Sequence, residues 1–294
     1  MMESFHIKNI LKLAQRKKRK RIIVAGNYNS ATVDAVLQSQ KMGFGDPIFC
    51  GKEFLVLKTK ETIVFDNCDA ACALEKAVDM VNNNEADILL NTSPLTSKFL
   101  QLVAGTNNSN SQVMNYISIF SAPKEHRLTL FTDTLINPDP GIKGKIEIIN
   151  NSIPVASILG IKNPNIAALA PVEFVNPAIR STMDAAILSK MSQRSQFGKN
   201  VAVEGPLAMD NAESAIAAKQ KGVESIVPGN VDIYLFPDVE SANITAQFLS
   251  FVFQVKLCGI LTGTGIPVII QSSLEQNNSW IYNIALSVLM LKAD

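Results

Sequence analysis

The stretch VAVEGPLAMDNAESAIAAKQKG, Val201 to Gly222, carries the signals of a strand, a tight turn and a helix in succession. The apolar run ending at Glu204 predicts a strand, and the Gly205-Pro206 pair predicts a turn. Asp210, or the asparagine after it, then predicts a helix N-cap. At the carboxyl end of a parallel strand, such a turn points backbone N–H groups and a positive helix end at an anion. An anion-binding loop and a purely structural connection both fit this stretch.

Composition favours a globular protein that binds small molecules. The chain has 294 residues, of which 47% are apolar and 18% charged, and its formal net charge is +1. The length predicts two domains or one large α/β unit. A charge near zero gives no overall attraction to nucleic acid or to an anionic membrane. The basic run Arg16–Arg21 ends a predicted helix over 5–20, where cations complement the helix dipole, and we favour this reading over nucleic-acid binding.

The cysteines and the N-terminus predict a cytoplasmic protein without a structural metal. There are four cysteines: Cys50, Cys68, Cys72 and Cys258. A chain of this length does not need disulfides, so we expect reduced thiols. Cys68 and Cys72 share a helical spacing, but no further cysteine or histidine lies near them to complete a metal site. The sequence shows no signal-peptide pattern and no apolar run long enough to span a bilayer, which predicts a soluble protein.

Strand-like and helix-like segments alternate along most of the chain. This alternation predicts a mainly parallel, doubly wound sheet. Two strand-like runs, Tyr116–Ala122 and Leu128–Asp133, are separated by a short loop and are expected to pair antiparallel. Helices are predicted over 141–151 and 241–256, and the domain boundary is expected near residue 134.

Beyond these local patterns, GPLAMDNA at 205–212 resembles the signature of the phosphate acetyl/butyryl transferase family, which exchanges an acyl group between coenzyme A and inorganic phosphate. Further segments match in order along the chain: RIIVAGNYN (21–29), PIFCG (47–51), EADILL (85–90), FTDTLINPDP (131–140), VNPAIRSTMDAAILSKM (175–191), DIYLFPDVESAN (232–243) and KLCGILTGTGIPVIIQSS (256–273). On these segments the chain is identified as a divergent member of the family.

The resemblance implies a fold and an assembly. The fold is a two-domain α/β/α sandwich of the isocitrate/isopropylmalate dehydrogenase-like type, with mainly parallel sheets. The first domain would hold residues 1–133 and 272–294, and the second would hold 134–271 and join two copies into a homodimer. The active site would lie in the cleft between the domains. Coenzyme A would enter as a substrate, and the reaction would need neither a metal nor a nicotinamide.

The resemblance also implies the site residues. Catalytic roles would fall to Ser272, Ser273 and Asp133. Substrate and coenzyme A would be bound by Asn91, Thr92, Asn137, Gly205, Pro206, Asp210, Asn243 and Gly263.

This chain departs from the family pattern where the pattern places charged groups. Family members end the last strand in Ser-Arg, follow it in many cases with an Asp, run from DILL into Met-Lys-Gly, and often have a Lys two residues after Gly263. The corresponding residues here are Ser272-Ser273, Ser279 with Glu275 nearby, Asn91-Thr92, and Gly265. Because each lost cation removes a charge-assisted hydrogen bond, we expect a dianionic phosphate to be held weakly.

Two hypotheses follow. In the first, the chain is a phosphate acyltransferase in which Lys98, Lys124 or Arg127 replaces the lost cations. In the second, it is a non-catalytic acyl-CoA-binding or regulatory protein. An acyltransferase or thioesterase with an acceptor other than phosphate is a smaller third possibility.

Overall fold

A computed structural model describes residues 7–26, 29–51, 63–65, 69–94, 96–104, 113–121, 127–270, 272, 274–275 and 279–291. These residues fall into two compact units. The outer unit contains residues 7–114 and 256–291, and the middle unit contains residues 115–255.

The outer unit has a mainly parallel sheet in the order β3-β2-β1-β4-β11-β10. Its strands are β1 Lys20–Ala25, β2 Gly45–Cys50, β3 Ile63–Phe65, β4 Ile88–Asn91, β10 Leu257–Thr262 and β11 Val268–Ile270. Its helices are α1 Ile7–Ala14, α2 Ser30–Lys41, α3 Ala70–Asn82, α4 Ser97–Ala104 and α10 Trp280–Met290. Within this sheet, β10 pairs antiparallel with β11, and β11 pairs parallel with β4.

Side-chain caps and apolar packing explain these helices. The Asn29 side chain accepts a hydrogen bond from the Thr32 N–H at the start of α2, and Asp69 does the same for α3. Nine of the eleven residues of α10 are buried. Within the described ranges, no helix combines the length and apolarity needed to cross a bilayer.

The middle unit has a five-stranded sheet in the order β5-β6-β9-β7-β8. Its strands are β5 Asn115–Ser121, β6 Leu128–Thr132, β7 Asn165–Leu169, β8 Ala202–Leu207 and β9 Ile233–Leu235. Its helices are α5 Gly141–Ile158, α6 Arg180–Gln193, α7 Met209–Glu213, α8 Ala215–Gln220 and α9 Val239–Gln247, and α9 continues into a π-helical turn, Phe248–Val252. The strands β6, β9, β7 and β8 run parallel, and β5 pairs antiparallel with β6 as predicted.

The unit boundaries differ from the predicted ones at 133/134 and 271/272. They lie at 114/115 and 255/256. The first boundary lies before β5 because β5 pairs with β6, so both strands of this hairpin belong to the middle unit. The second boundary lies before β10 because β10 pairs with β11 of the outer unit. The sequence did not predict β10 as a strand.

The turn predicted at Gly205-Pro206 is wrong, because β8 continues through both residues to Leu207. In the described residues β8 pairs with β7 alone, and an edge strand tolerates proline, which has no N–H to donate. A Cβ at Gly205 would lie 2.7 Å from the Ala168 carbonyl oxygen and 2.9 Å from the Ala185 Cβ. Glycine therefore allows close packing of β8 against β7 and α6.

The predicted helix after this strand is two short helices. Asp210 does not cap the first one: Ala208 occupies the N-cap position of α7 without a side-chain hydrogen bond, and Asp210 lies in the first turn. Ser214 has an extended backbone, with φ −133° and ψ 112°, and separates α7 from α8. Its side chain accepts a hydrogen bond from the Ala217 N–H, so the cap belongs to α8.

The packing at Gly205 gives a stability prediction. Gly205→Ala should lower the free energy of unfolding by about 2 kcal/mol, because the new methyl group overpacks the space between β7 and α6. Gly222→Ala is the control: a Cβ there meets no atom within 4 Å, so only its positive φ of 74° is strained, at about 1 kcal/mol. Urea unfolding of both variants measures the difference. A neutral Gly205→Ala would contradict this account of the strand.

Candidate functional site

The carboxyl ends of the parallel strands in the middle unit share one edge of the sheet. Loops leave this edge after β6, β7, β8 and β9. In open α/β sheets, ligands bind outside this edge. The predicted site residues of this unit follow β6, lie in or after β8, or lie on the helix after β9, so each can be examined against it.

The carboxylate of Asp133 organises the loop after β6. It is 4% exposed, and its Oδ1 accepts hydrogen bonds from the N–H groups of Tyr116, Leu135 and Ile136 at 2.9–3.2 Å. Its Oδ2 accepts from the backbone N–H and the side-chain Nδ2 of Asn137. Burial raises the pKa of Asp133, and these hydrogen bonds oppose the rise. Both oxygens therefore accept hydrogen bonds from the chain itself.

The structure brings Asn137 and Asn243 together with Asp133. Asn243 lies on α9, and its Nδ2 donates to the Thr134 carbonyl oxygen at 3.0 Å. The Asn243 Oδ1 accepts a hydrogen bond from Gln247 Nε2 at 2.6 Å. This amide side chain thus connects the loop after β6 to the helix α9.

Two ion pairs near this loop were missed by the sequence analysis. Lys145 Nζ lies 2.8 Å from Asp184 Oδ2, and both side chains are less than 10% exposed. Arg180 Nη1 lies 2.7 Å from Asp139 Oδ2, and here both side chains are more than 60% exposed. The Arg180 Nε is 3.9 Å from Asp184 Oδ2, so the Asp184 carboxylate lies within 4 Å of both Lys145 and Arg180. Lys145 lies on α5, Arg180 and Asp184 lie on α6, and Asp139 lies in the loop before α5, so only the packing of α5 against α6 shows that these residues meet.

Of these four residues, Lys145 lines a crevice at the carboxyl ends of β7 and β9. Its lining is Lys145, Ala168, Leu169, Ser181, Ala185, Leu188, Leu235, Phe236 and Pro237. Gly141, at the start of α5, has a φ of +58°, and a Cβ there would lie 2.9 Å from Arg180 Nη2. A glycine at this position therefore leaves room for the exposed guanidinium.

The residues of the quoted stretch are positioned differently from the prediction. Gly205 and Pro206 are buried within β8, and the Gly205 N–H donates to Glu204 Oε1 at 3.0 Å. Asp210 is exposed and forms an ion pair with Lys221 at 2.8 Å. The hydrogen bond from Lys221 lowers the pKa of Asp210. The backbone N–H of Gly205 is therefore taken by its neighbour, and Asp210 remains accessible at the carboxyl edge.

In the outer unit, Asn91 and Thr92 form a closed turn at the end of β4. Asn91 is fully buried, and its side chain donates to the carbonyl of Ser93 and accepts from its N–H, at 3.1 and 3.0 Å. Thr92 binds the Ala25 carbonyl through both its N–H and its hydroxyl, each at 2.9 Å. Gly26 follows β1 with a φ of +107°. The Ser93 and Thr92 hydroxyls lie where a Cβ at Gly26 would be. This end of the sheet thus carries amide and hydroxyl groups.

The end of the neighbouring strand β11 also carries a hydroxyl. Ser272 is 8% exposed, and its Oγ accepts a hydrogen bond from the Leu274 N–H at 3.1 Å. Glu275 Oε2 accepts from Asn283 Nδ2, so this carboxylate faces α10. Gly263 follows β10 with a φ of +81°. Ser273 lies outside the described residues.

The possible replacement cations are not equivalent. Arg127 precedes β6 and lies 3.8 Å from Asp232, at the amino edge of the middle sheet, one strand length from Asp133. Lys98 lies in the first turn of α4, after β4, and pairs with Glu75 at 2.8 Å with both side chains exposed. The hydrogen bond that Lys98 donates to Glu75 raises the pKa of Lys98. Lys124 lies outside the described residues, so Lys98 is the described candidate that lies at a carboxyl edge.

Curated proteins similar to the chain over its full length have related names. A phosphate butyryltransferase of Clostridium acetobutylicum is 35% identical and covers 99% of both chains. A phosphate acetyltransferase of Thermotoga maritima is 30% identical and covers 96% of this chain and 99% of its own.

Solved structures show the same fold. A branched-chain phosphotransacylase from Enterococcus faecalis V583 matches with a TM-score of 0.80, 24% identity and coverage of 92% of this chain and 98% of its own. A phosphotransacetylase from Streptococcus pyogenes matches with a TM-score of 0.81, 17% identity and coverage of 97% and 98%. These likenesses establish a mixed α/β fold with mostly parallel strands. The family model described as "Phosphate acetyl/butaryl transferase" matches residues 71–288, and the chain belongs to the phosphate acetyl/butyryl transferase family.

Proposed function

We propose that the chain exchanges a short acyl group between coenzyme A and inorganic phosphate. The observation that carries this proposal is 35% identity to a phosphate butyryltransferase over 99% of both chains. In the forward direction the coenzyme A sulfur bonds to the carbonyl carbon of an acyl phosphate, the carbon–oxygen bond to phosphate breaks, and phosphate leaves. In the reverse direction, a phosphate oxygen attacks the thioester and the thiolate leaves.

The alternative of a non-catalytic acyl-CoA-binding protein has less support. Its basis was the absence of Arg and Lys from the positions of the family pattern. The carboxyl edge of the middle sheet supplies another cation, Arg180, with an exposed guanidinium. The absence of Arg and Lys from the family positions therefore does not imply that the acyltransferase activity is lost.

The finer fold type belongs to the same proposal. Two α/β units with mainly parallel sheets are consistent with the isocitrate/isopropylmalate dehydrogenase-like type. We place the reaction in the cytoplasm, where thiols stay reduced.

Arg180 is the residue that we assign to the phosphate group. Its partner Asp139 is 65% exposed, so exchanging this exposed ion pair for a phosphate costs little. A guanidinium can then form two parallel hydrogen bonds with phosphate oxygens. Lys145, by contrast, is buried against Asp184 and would leave that carboxylate unpaired if it moved.

The remaining assignments use neutral groups and one positioning carboxylate. We assign the hydroxyls of Thr92 and Ser272 and the backbone at Gly263 to hydrogen bonding with the acyl group or coenzyme A. Asp133 holds the loop that carries Asn137, and its own oxygens do not touch the substrate. Ser273 keeps the role that the family resemblance implies.

The phosphate assignment can be tested by kinetics. We expect the purified chain to release thiol from acetyl-, butyryl- or isobutyryl-CoA only when phosphate is present. Arg180→Ala should raise the KM for phosphate about tenfold or more, as the loss of a charge-assisted hydrogen bond predicts, with little change in the KM for the thioester. Arg194→Ala is the matched control, because Arg194 is an exposed arginine at the opposite end of α6.

Each other outcome has a distinct meaning. Tight coenzyme A binding by calorimetry without phosphate-dependent turnover would refute the proposed activity. Turnover that is insensitive to Arg180→Ala but weakened by Lys98→Ala would move the phosphate contact to the outer unit. Thiol release without phosphate would indicate a thioesterase.

The positioning role of Asp133 gives a second test. Asp133→Asn should cost about 3 kcal/mol of unfolding free energy, because an amide NH₂ then faces the two Asn137 donors that the carboxylate accepts. At 25 °C, folded Asp133→Asn should also have a lower kcat than the wild type. Asp139→Asn, in the same loop but exposed, should cost less than about 1 kcal/mol. Equal stability losses in urea unfolding would contradict the role given to the buried carboxylate.

A further inference from the structure

The crevice at the carboxyl ends of β7 and β9 has a mainly apolar wall. Among the described residues that line it, seven of nine have apolar side chains: Ala168, Leu169, Ala185, Leu188, Leu235, Phe236 and Pro237. Ligand sites are typically concave and apolar, with a few polar groups that fix the orientation of the ligand. The other two lining residues, Lys145 and Ser181, are polar groups of this kind.

The charge of Lys145 is balanced within the protein. Its Nζ lies 2.8 Å from Asp184 Oδ2, and both side chains are less than 10% exposed. Separating this buried pair would leave Asp184 uncompensated, so Lys145 does not need an anion from solvent and does not readily exchange its partner for one. The crevice therefore favours an apolar ligand over a second phosphate group.

The crevice adjoins the cation to which we assign the phosphate group. Ser181, which lines the crevice, directly follows Arg180 at the start of α6. The Asp184 Oδ2 atom also connects the two places, since it lies 2.8 Å from Lys145 Nζ and 3.9 Å from Arg180 Nε. In an acyl phosphate, one bridging oxygen joins the phosphorus to the carbonyl carbon, and the alkyl chain begins at the next atom. A phosphate group at Arg180 thus brings the chain within reach of the crevice.

We propose that this crevice binds the alkyl chain of the acyl group and selects its length. The proposal rests on the proposed acyl exchange and adds a substrate preference to it. The phosphate end of the substrate is held by Arg180, and the chain packs against Leu188 and Leu235. The carbonyl carbon then lies at the rim beside Ser181, where the coenzyme A sulfur can bond to it.

The size of the crevice limits the chain. It encloses about 160 Å³ and is open to solvent, so this value is an upper limit. At about 30 Å³ for each water-sized group, the crevice holds no more than about five carbon atoms beyond the carbonyl. Each methylene group that leaves water adds to the affinity until the space is filled. We therefore expect butyryl to be preferred over acetyl, and chains longer than hexanoyl to gain nothing further.

Calorimetry with acetyl-, butyryl-, hexanoyl- and octanoyl-CoA tests this preference. The wild type should bind butyryl-CoA about tenfold more tightly than acetyl-CoA, because two further methylene groups leave water. Octanoyl-CoA should bind no more tightly than hexanoyl-CoA, because its additional carbon atoms find no space in the crevice. An equal affinity of the wild type for acetyl- and butyryl-CoA would overturn the proposal.

A variant that fills the crevice tests its location. Ser181 is partly buried, and Ser181→Leu should reduce the preference for butyryl-CoA over acetyl-CoA about tenfold, because the new side chain occupies the space of the alkyl chain. The KM for phosphate should change little, which would show that Arg180 is undisturbed. Ala186→Leu is the matched control, since Ala186 is also partly buried on α6 but does not line the crevice.

A variant that enlarges the crevice should have the opposite effect. Leu188 is fully buried, and Leu188→Ala should strengthen the binding of octanoyl-CoA relative to butyryl-CoA at least about fivefold. Ile187→Ala is the control, because Ile187 is the preceding residue of the same helix and is 45% exposed. Circular dichroism confirms that each variant is folded.

The remaining outcomes separate this proposal from the proposed function. An unchanged chain preference in Ser181→Leu, or the same change in the two control variants, would overturn the role of the crevice. The affinities do not require turnover. A chain that discriminates butyryl- from acetyl-CoA without phosphate-dependent thiol release would support the crevice and refute the activity, whereas turnover without discrimination would do the reverse.

Discussion

A carboxylate removed from water must have its oxygens satisfied, and Asp133 meets this requirement with five donors from its own chain. One donor is the N–H of Tyr116 in β5, and the others belong to the loop that follows β6. The carboxylate therefore fixes the loop relative to the sheet. The Thr134 carbonyl in this loop then accepts from Asn243, so the position of α9 depends on the same group. At the carboxyl edge of the middle sheet, the Asp133 carboxyl group thus connects β5, the loop after β6 and, through Thr134, the helix α9.

Near Asp133, each described ion pair at this edge joins one positive and one negative side chain. The pairs differ in how easily the two side chains can separate. The Lys145–Asp184 pair is buried, so separating it would leave an uncompensated charge in a low-dielectric environment. The Arg180–Asp139 pair is in water, where such contacts contribute little. Burial therefore separates a cation that supports the fold from a cation that can exchange its partner for a ligand. Formal charge alone does not make this distinction.

Much of the fold could be predicted from the sequence, because strand and helix periodicities are local. The β5–β6 pair followed from a short loop between two apolar runs, and most helices followed from their spacing. The failures have physical reasons. Gly205-Pro206 has the composition of a turn, but the tight packing against Ala168 and Ala185 that requires glycine is a tertiary contact. The meeting of Lys145 with Asp184, 39 residues later, likewise depends on the packing of α5 against α6.

The helix α9 links the two kinds of surface in the middle unit. Its Asn243 side chain donates to the site loop, and Gln247, one turn later, orients that amide. The next residue, Phe248, is exposed, and the hydrogen-bond ladder there changes from α to π geometry. A π-helical turn places side chains on a different angular path from an α-helix, so the aromatic residues diverge from the face that holds Asn243. One helix can therefore hold the loop with its polar residues and present its apolar residues to solvent.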